Sequence, residues 1–434
     1  MIFKVTAAFC YENQTNMLKM YYKKIPLYIL LFLAAVIMHA CSGKSPQPIV
    51  NTNEIRTFLA ELYAVDTNNK HLENINNRIQ FLNRKMEQDN SGPVTAGLLA
   101  GALSQRFEQT GNITDIITAD SLLLVANRKF NGSKTQILQS LSINAFKRHE
   151  FKASFEYAYN AYLLGEHKSN SAGMLFDVYM ETGNYLQAEN ILNDIGGRNE
   201  YSYLIRASKL KQSKGDLDSS IIYMKMALEN ARKNTGSAAE NNIKWTENNL
   251  AMLYFANEDF ETSYDVFKNS LYRDKNNYKA LEGLALIAAI HDKNFKLAEE
   301  ILLYLSLKLQ TPDPYLNLYK ISKLAGNTEA TNKYLDEFMK RTQNPQFGKM
   351  YNRYLAEIYA EEFRDFDKAK NIAFEEIAER PTPSSYYLLA WINSKQGDNK
   401  AAVEIIKNFV EGKTNDPTIL IGIEKIYFEE TKRL

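Results

Sequence analysis

The residues of this sequence that could bind phosphate lie in two short stretches, Gly-Lys-Ser at 43–45 and Gly-Lys-Thr at 412–414. Both match the last three residues of a phosphate-binding loop, whose backbone N–H groups and lysine hold nucleotide phosphates. That loop also requires a glycine five positions earlier, where the chain has Met38 and Lys407. We therefore expect neither stretch to bind a nucleotide.

Histidine and acidic side chains are the other candidates for catalysis. Downstream of residue 40 the histidines are far apart, without the His-Glu-x-x-His spacing of a zinc site, at His71, His149, His167 and His291. We interpret them as single surface residues, and the acidic pairs at 361–362 and 375–376 as solvated helix faces. The sequence thus predicts no catalytic residue, no metal and no cofactor, and hence no enzyme. An enzyme with an unrecognised helical active site is the alternative.

The two cysteines, Cys10 and Cys41, provide no disulfide framework and no thiolate site in the rest of the chain. Cys41 follows an apolar run over residues 25–38, and Lys23 and Lys24 precede that run. A membrane-spanning helix needs about 20 apolar residues. The shorter run therefore has the length and the basic flank of a secretory signal peptide.

The segment Met-His-Ala-Cys at 38–41 resembles the lipobox of bacterial lipoproteins, in which a small residue precedes a cysteine that receives diacylglycerol. The resemblance implies that residues 1–40 are a signal peptide and that Cys41 is lipidated. Since the first residues are polar and a conventional signal is shorter, we expect translation to start at Met17 or Met20. The alternative is an ordinary secretory signal or N-terminal anchor in which Cys41 is incidental.

Residues 41–53 lack apolar periodicity, and we predict that they form a flexible tether about 20 Å long. Ser42, rather than an aspartate, follows the cysteine, which by similarity to bacterial lipoproteins implies sorting to the outer membrane. Some surface-export signals are acidic just after the cysteine, whereas the first acidic residue here is Glu54. We therefore expect a bacterial cell-envelope protein that is anchored by lipid in the outer membrane and faces the periplasm.

The charge of the chain is nearly balanced, with 52 basic and 51 acidic residues. Without residues 1–40, which hold four lysines and one glutamate, 48 basic and 50 acidic residues remain. Nucleic-acid-binding proteins usually carry a clear basic excess. We therefore expect no nucleic-acid partner.

Beyond residue 130 the sequence repeats a short pattern eight times. A polar turn such as Gly-Asn or Gly-Asp comes first, and a small residue follows it at a fixed position. This column of small residues is Ser154, Ala188, Ser220, Ser263, Ala298, Thr331, Ala369 and Ala402, at intervals of 34, 32, 43, 35, 33, 38 and 33 residues. Small residues at helix crossings let the two helix axes approach to about 8–10 Å. The pattern resembles the tetratricopeptide repeat, a helix–turn–helix unit of 34 residues.

This resemblance implies an all-α fold, an α-solenoid of antiparallel helix hairpins wound into a right-handed superhelix. We assign residues 131–415 to the tetratricopeptide-like repeats. Residues 54–130 show helical apolar spacing and are predicted to form an N-terminal helical region with divergent repeats. Residues 416–434 are predicted to be a capping helix. Its expected apolar face consists of Ile419, Leu420, Ile423 and Ile426.

In the tetratricopeptide family, the first helix of each unit lines a concave groove that usually binds extended peptides or partner helices. The resemblance places six residues of this chain in the groove: Phe146, Trp245, Met252, Phe255, Tyr387 and Trp391. Aromatic side chains are frequent hot spots of recognition, although packing against the next repeat is the alternative for each.

Two functions follow from these observations. The first is a lipid-anchored scaffold that holds another envelope protein or peptide in its groove and reaches the membrane through its lipid. The alternative is a glycan- or nutrient-binding outer-membrane lipoprotein with a helical repeat scaffold. Proteins of that second kind display aromatic residues on long irregular insertions, and no such insertion is evident in this sequence.

Overall fold

A computed structural model describes residues 47–64, 69–88 and 92–432, and within those ranges every regular element is a helix. The first half contains α1 Thr52–Ala64, α2 Lys70–Gln88, α3 Pro93–Thr110, α4 Ile113–Lys129, α5 Thr135–Lys147, α6 Phe151–Leu164, α7 Lys168–Glu181, α8 Tyr185–Ile191, α9 Tyr201–Ser213 and α10 Leu217–Arg232. The second half contains α11 Ser237–Ala256, α12 Phe260–Arg273, α13 Tyr278–Ile290, α14 Phe295–Lys308, α15 Asp313–Leu324, α16 Thr328–Thr342, α17 Asn352–Glu361, α18 Phe366–Glu379, α19 Pro383–Gln396, α20 Asn399–Phe409 and α21 Pro417–Thr431.

From α3 to α20 consecutive helices pair as nine hairpins, and each hairpin packs against the next. The all-α solenoid predicted from the sequence is therefore confirmed. Short 3₁₀ turns extend α8 at Leu192–Asp194 and follow α16 at Pro345–Phe347. The second of these turns lies in the longer loop of the 38-residue interval.

The hairpin turns are formed by a left-handed residue followed by a capping residue. In the eight repeats the left-handed residue has φ between 52° and 96°, and it is glycine in four of them, for example Gly326. Asp216, Asp259 and four equivalent Asn or Asp side chains then accept a hydrogen bond from a backbone N–H three residues further on. Such a cap satisfies an otherwise unpaired donor at the start of the second helix.

The column of small residues lies where the two helices of each hairpin cross. Its eight members are all buried, and seven of them have no exposed surface. At two crossings serines form reciprocal bonds. Ser208 and Ser220 each donate to the other's carbonyl oxygen, at 2.8 and 2.9 Å, and Ser142 with Ser154 does the same at 2.9 Å. These bonds require close approach of the two backbones, so a larger residue at either position would separate the helices.

The solenoid winds far enough to touch itself, and we call the whole array the coil. The Gln310 backbone N–H donates to the Thr110 carbonyl at 2.8 Å, and the Asn415 side chain donates to the Lys214 carbonyl at 3.2 Å. Both pairs are about 200 residues apart, which is about six units of 34 residues. In each case a loop inside a hairpin, in the first turn of the coil, contacts a loop between two hairpins in the second turn of the coil.

The first helix departs from the predicted arrangement, because α1 does not stack beside α2. It lies instead across the middle of the array, where Ile55, Phe58 and Leu62 join the same core as residues of α12 and α14. The predicted tether over residues 41–53 is wrong in its second half. Val50 is 3% exposed, and the chain preceding α1 is held by hydrogen bonds to α13–α14. Residues 41–46 lie outside the described residues.

The capping helix buries Ile419, Ile423 and Ile426 against the last hairpin. Leu420, which we expected on the same face, is 43% exposed, because a residue next to Ile419 points about 100° away around the helix. Within the described ranges, no helix combines the length and the apolar character that a membrane span requires.

Candidate binding surface inside the coil

Three of the six predicted groove residues lie on α11 and do not share one environment. Met252 and Phe255 pack against the largest hydrophobic core, and the Phe255 ring meets Phe260 edge to face at 5.3 Å between centroids. Trp245 is 46% exposed. Met252 and Phe255 thus contribute to stability in the way that the alternative interpretation expected, whereas Trp245 has surface available to a partner.

The other three lie on α5 and α19. The Phe146 ring is 5.5 Å from that of Phe151, edge to face, and Trp391 packs against the α17–α19 core. Tyr387 lies against the capping helix at Gly422, where a Cβ atom would come within 2.6 Å of its ring. The six residues are therefore spread over three hairpins. Their role in binding a partner stays a prediction, and Cys41 lies outside the described residues.

A set of polar residues on the first helices of later hairpins was not predicted. We call it the lumen cluster, and it consists of Asp313, Lys320, Arg353, Tyr354 and Glu357. Lys320 and Tyr354 are in contact, with the ammonium nitrogen 4.3 Å from the ring centroid. The Arg353 guanidinium donates to Glu357 at 3.3 Å. Asp313 accepts a hydrogen bond from the Tyr351 hydroxyl at 2.8 Å.

Lys320 is the unusual member of the lumen cluster. Its ammonium nitrogen is buried and has no hydrogen-bond partner among the described residues. Burial lowers the pKa of Lys320 to about 8; Glu357 opposes this shift and Arg353 reinforces it. A buried, unpaired ammonium is costly. An incoming carboxylate or carbonyl oxygen would therefore gain a strong, charge-assisted hydrogen bond there.

The sequence contains a weak signal for Lys320. The position eleven residues before the small residue is charged in three of the eight units and apolar in the other five: Asp177, Lys209 and Lys320, against Ile143, Met252, Ile287, Ile358 and Trp391. This position is therefore of mixed character, and a search for apolar residues alone does not find Lys320.

A second polar group joins the two turns of the coil, and we call it the clasp. It contains His149, Phe151, Glu181, Glu376 and Arg380. The Arg380 guanidinium donates to Glu376 at 2.7 Å and to Glu181 at 3.5 Å, and it lies 5.4 Å from the Phe151 ring centroid. His149 stacks on the same ring at 5.4 Å. These contacts join α7, α6 and the α18–α19 loop.

The contacts in the clasp lower the pKa values of His149 and Glu181. Burial, together with the positive charge of Arg380, lowers the pKa of His149 to about 4. Burial also acts to raise the pKa of Glu181, but Lys209 and Arg380 hold it below its ordinary value. His149 is therefore neutral and Glu181 ionised near neutral pH.

Three residues that we interpreted as solvated are not. The His149 Nδ1 atom is buried, and the Glu376 side chain is 4% exposed. The His291 side chain is 17% exposed, and its ring lies 4.9 Å from that of Phe260. Each of them faces a neighbouring element that sequence periodicity does not reveal. No group of three or more His, Cys, Asp or Glu with the geometry of a metal site occurs in the described ranges.

The fold and its inner surface define a class of protein, the helical-repeat solenoid. Residues 383–411 match the family model for the tetratricopeptide repeat, and this segment contains the α19–α20 hairpin. The α19–α20 hairpin is therefore a tetratricopeptide repeat, and the other hairpins share its helix–turn–helix architecture. Scaffolds of this kind commonly bind proteins or peptides.

Solved structures similar to the chain include a tetratricopeptide repeat protein from Parabacteroides merdae, with 17% identity, 60% of this chain and 98% of that chain covered, and a TM-score of 0.38. The human IFIT1 dimer with PPP-AAAA has 11% identity, coverage of 78% and 94%, and a TM-score of 0.45. BtubC from P. vanneervenii has 16% identity, coverage of 45% and 90%, and a TM-score of 0.34. No curated protein sequence matches the chain.

Proposed function

We propose that this chain is a lipid-anchored scaffold of the bacterial cell envelope, in the outer membrane and facing the periplasm, that holds an extended segment of another protein inside the coil. The observation that carries the proposal is the buried ammonium of Lys320, which lies on the Tyr354 ring and has no hydrogen-bond acceptor among the described residues. A buried charge without an acceptor weakens the fold, and a ligand that supplies the acceptor is favoured at that point.

The size of the coil supports an extended ligand. About six first helices, with axes about 10 Å apart, form a ring of radius about 10 Å. Subtracting a helix radius of about 5 Å with its side chains leaves a space about 10 Å across. An α-helix with side chains is about 10–12 Å wide, so an extended chain fits this space better than a helix or a folded domain.

The lumen cluster favours a polar or acidic segment. The Lys320 ammonium has no hydrogen-bond acceptor among the described residues, and Arg353 uses its Nη1 atom on Ser384 at 2.9 Å. The Tyr354 ring beside Lys320 offers apolar contact and a hydroxyl group. An extended segment with a carboxylate near an apolar side chain matches these groups.

The test compares two lysine substitutions in the same repeat. Lys320→Met removes the inner charge at nearly constant volume, and the matched control Lys333→Met removes an exposed charge from α16. Proteins recovered from solubilised envelopes with the parent chain are identified, and the affinity of a recovered segment is then measured for both variants. Loss of affinity with the first substitution and not with the second supports the proposal.

Two results would contradict it. Equal affinity of the parent chain and the Lys320→Met variant for the recovered segment would remove the lumen cluster from the site. Incorporation of labelled palmitate that persists in a Cys41→Ser variant, or fails in the parent chain, would remove the anchor. A clear calorimetric titration with a glycan would favour the alternative of nutrient binding.

A further inference from the structure

The chain enters α1 through a clamp formed by one carboxylate. Both oxygens of Asp292 accept hydrogen bonds, from the Ile49 and the Val50 backbone N–H groups, each at 2.9 Å. The Asp292 side chain is 1% exposed and its Oδ1 atom also meets His291 at 2.7 Å. Asn294 donates to the Thr52 hydroxyl at 3.0 Å. A buried carboxylate with this many donors holds the incoming backbone in one place.

The helix after the clamp is held equally firmly, so the clamp does not depend on one contact. Glu54 accepts a hydrogen bond from the Tyr264 hydroxyl at 3.2 Å, and another from Tyr272. Arg56 forms two hydrogen bonds with Glu300, at 2.8 and 2.9 Å. These bonds tie the first part of α1 to α12 and α14.

The position of the clamp identifies one end of the coil. In the first turn of the coil, the loops inside the hairpins contact the second turn of the coil, as Gly183 does near Thr382 and Gly215 near Asn415. The helices therefore run along the coil axis. In the second turn of the coil, the loops inside the hairpins point away from the first turn and form a free end. Asp292 lies in such a turn, between α13 and α14.

We propose that the anchored protein stands on the membrane with this end of the coil, the Asp292 end, facing the lipid. The inference rests on the proposed lipidation of Cys41. Eight positions separate Cys41 from Ile49, and a fully extended chain of that length spans at most about 28 Å. The Asp292 end is therefore within about 28 Å of the bilayer surface.

The opposite end lies much further away. Helices of 14 residues, such as α12 and α14, are about 21 Å long at 1.5 Å per residue. The α11–α12 hairpin packs beside α13–α14, and the loop that precedes α11 lies at the other end of these helices, about 20–30 Å beyond the Asp292 end. The partner segment would then enter the coil from the end away from the membrane.

The experiment measures the distance of two labels from the lipid. The chain after residue 41 has no cysteine, and a lipidated Cys41 does not react with thiol probes. Lys296→Cys places a fluorophore at the Asp292 end, and Thr235→Cys places one at the opposite end; both residues are exposed. The full-length lipidated protein is reconstituted in phosphatidylethanolamine–phosphatidylglycerol vesicles that carry a quencher on the head group.

Quenching is expected to be several-fold stronger at position 296 than at position 235. Asp292→Ala frees only the backbone of Ile49 and Val50, because Glu54 and Arg56 still hold α1, so it should reduce this difference only slightly. The control Asp365→Ala, which removes the cap of an equivalent turn that does not hold the N-terminal segment, should leave it unchanged. A long Gly-Ser insertion after Pro48 should also reduce the difference without altering any described helix.

Equal quenching at the two positions, in protein that sediments with the vesicles, would overturn the proposed orientation. A difference that survives the Gly-Ser insertion would also overturn it. Failure of lipidation is recognised separately, because the protein would then not sediment with vesicles and Cys41 itself would take up the thiol probe. That result would remove the anchor, and the proposed orientation with it.

Discussion

Closure of the coil has a direct consequence for His149, which lies between its two turns. Burial against Phe151, near the positive Arg380, lowers the pKa of His149 to about 4. Glu181 and Asp313 also face this side chain and act in the opposite direction. The ordinary pKa of a histidine is about 6.5, so the value in the folded protein reports whether the two turns touch.

The perturbation is a change of pH, and its sign follows from the two pKa values. The unfolded chain takes up a proton at His149 near pH 6.5, whereas the folded protein takes it up only near pH 4. The stabilisation is therefore present above pH 6.5 and is lost as the pH falls from 6.5 towards 4. With these values, the free energy of unfolding decreases by about 2 kcal/mol between pH 7 and pH 5.

His149→Asn provides the comparison, because it removes the titrating group and asparagine tolerates the left-handed conformation of this residue, whose φ is 61°. Other carboxylates titrate in both proteins, so the difference between them isolates His149. Urea unfolding at pH 7 and pH 5 gives the two free energies. A histidine Cε1 resonance that is absent from the variant gives the pKa directly.

The reasoning would be refuted by a His149 resonance that titrates near pH 6.5 in the folded protein. The two turns of the coil would then be apart at the clasp. Arg380→Met is the second comparison, since it removes the positive charge. It should raise the pKa of His149 while the ring remains covered by Phe151.

Further outcomes are expected in thermal unfolding or binding assays. Arg364→Gly should stabilise the folded protein by about 1 kcal/mol, because residue 364 has a left-handed φ of 52°. Gly326→Ala should destabilise the folded protein by a similar amount, because residue 326 has a φ of 70° and open space around it. Gly283→Ala should destabilise by about 1–3 kcal/mol, since the added methyl group would overlap the Phe267 ring; an unchanged Tm would contradict this. Lys320→Met should raise the Tm and weaken partner binding. In the parent chain, binding of an acidic segment should weaken as the pH rises above about 8, because Lys320 then loses its charge.

The repeating hairpins could be predicted from the sequence because their signals are local. A small residue at the crossing, such as Ser220, and a cap such as Asp216 lie within one unit, so each repeat supplies its own signal. Eight such units agreed in spacing, and all eight small residues are buried. The two longest intervals, of 43 and 38 residues, contain longer helices and a longer loop respectively.

The closed coil could not be predicted in the same way. Its pitch is the sum of small rotations between neighbouring hairpins, and no single unit encodes it. The contact of Thr110 with Gln310 therefore has no local signal, and neither does the docking of α1 on α12 and α14. His149 and Glu376 looked like surface residues because the element that covers each of them is distant in sequence.

The two polar groups of the coil have different consequences for binding. The clasp joins the turns through loop residues, and a single 3.5 Å ion pair connects Arg380 to Glu181. The two turns also share apolar contacts, because Phe107, Ile113 and Ile116 belong to the same buried core as residues of α13–α17. Burial and charge therefore both hold the turns together. Lys320 lies on a first helix within one turn, so a ligand would reach it through an end of the coil, and the clasp keeps the coil closed around that ligand.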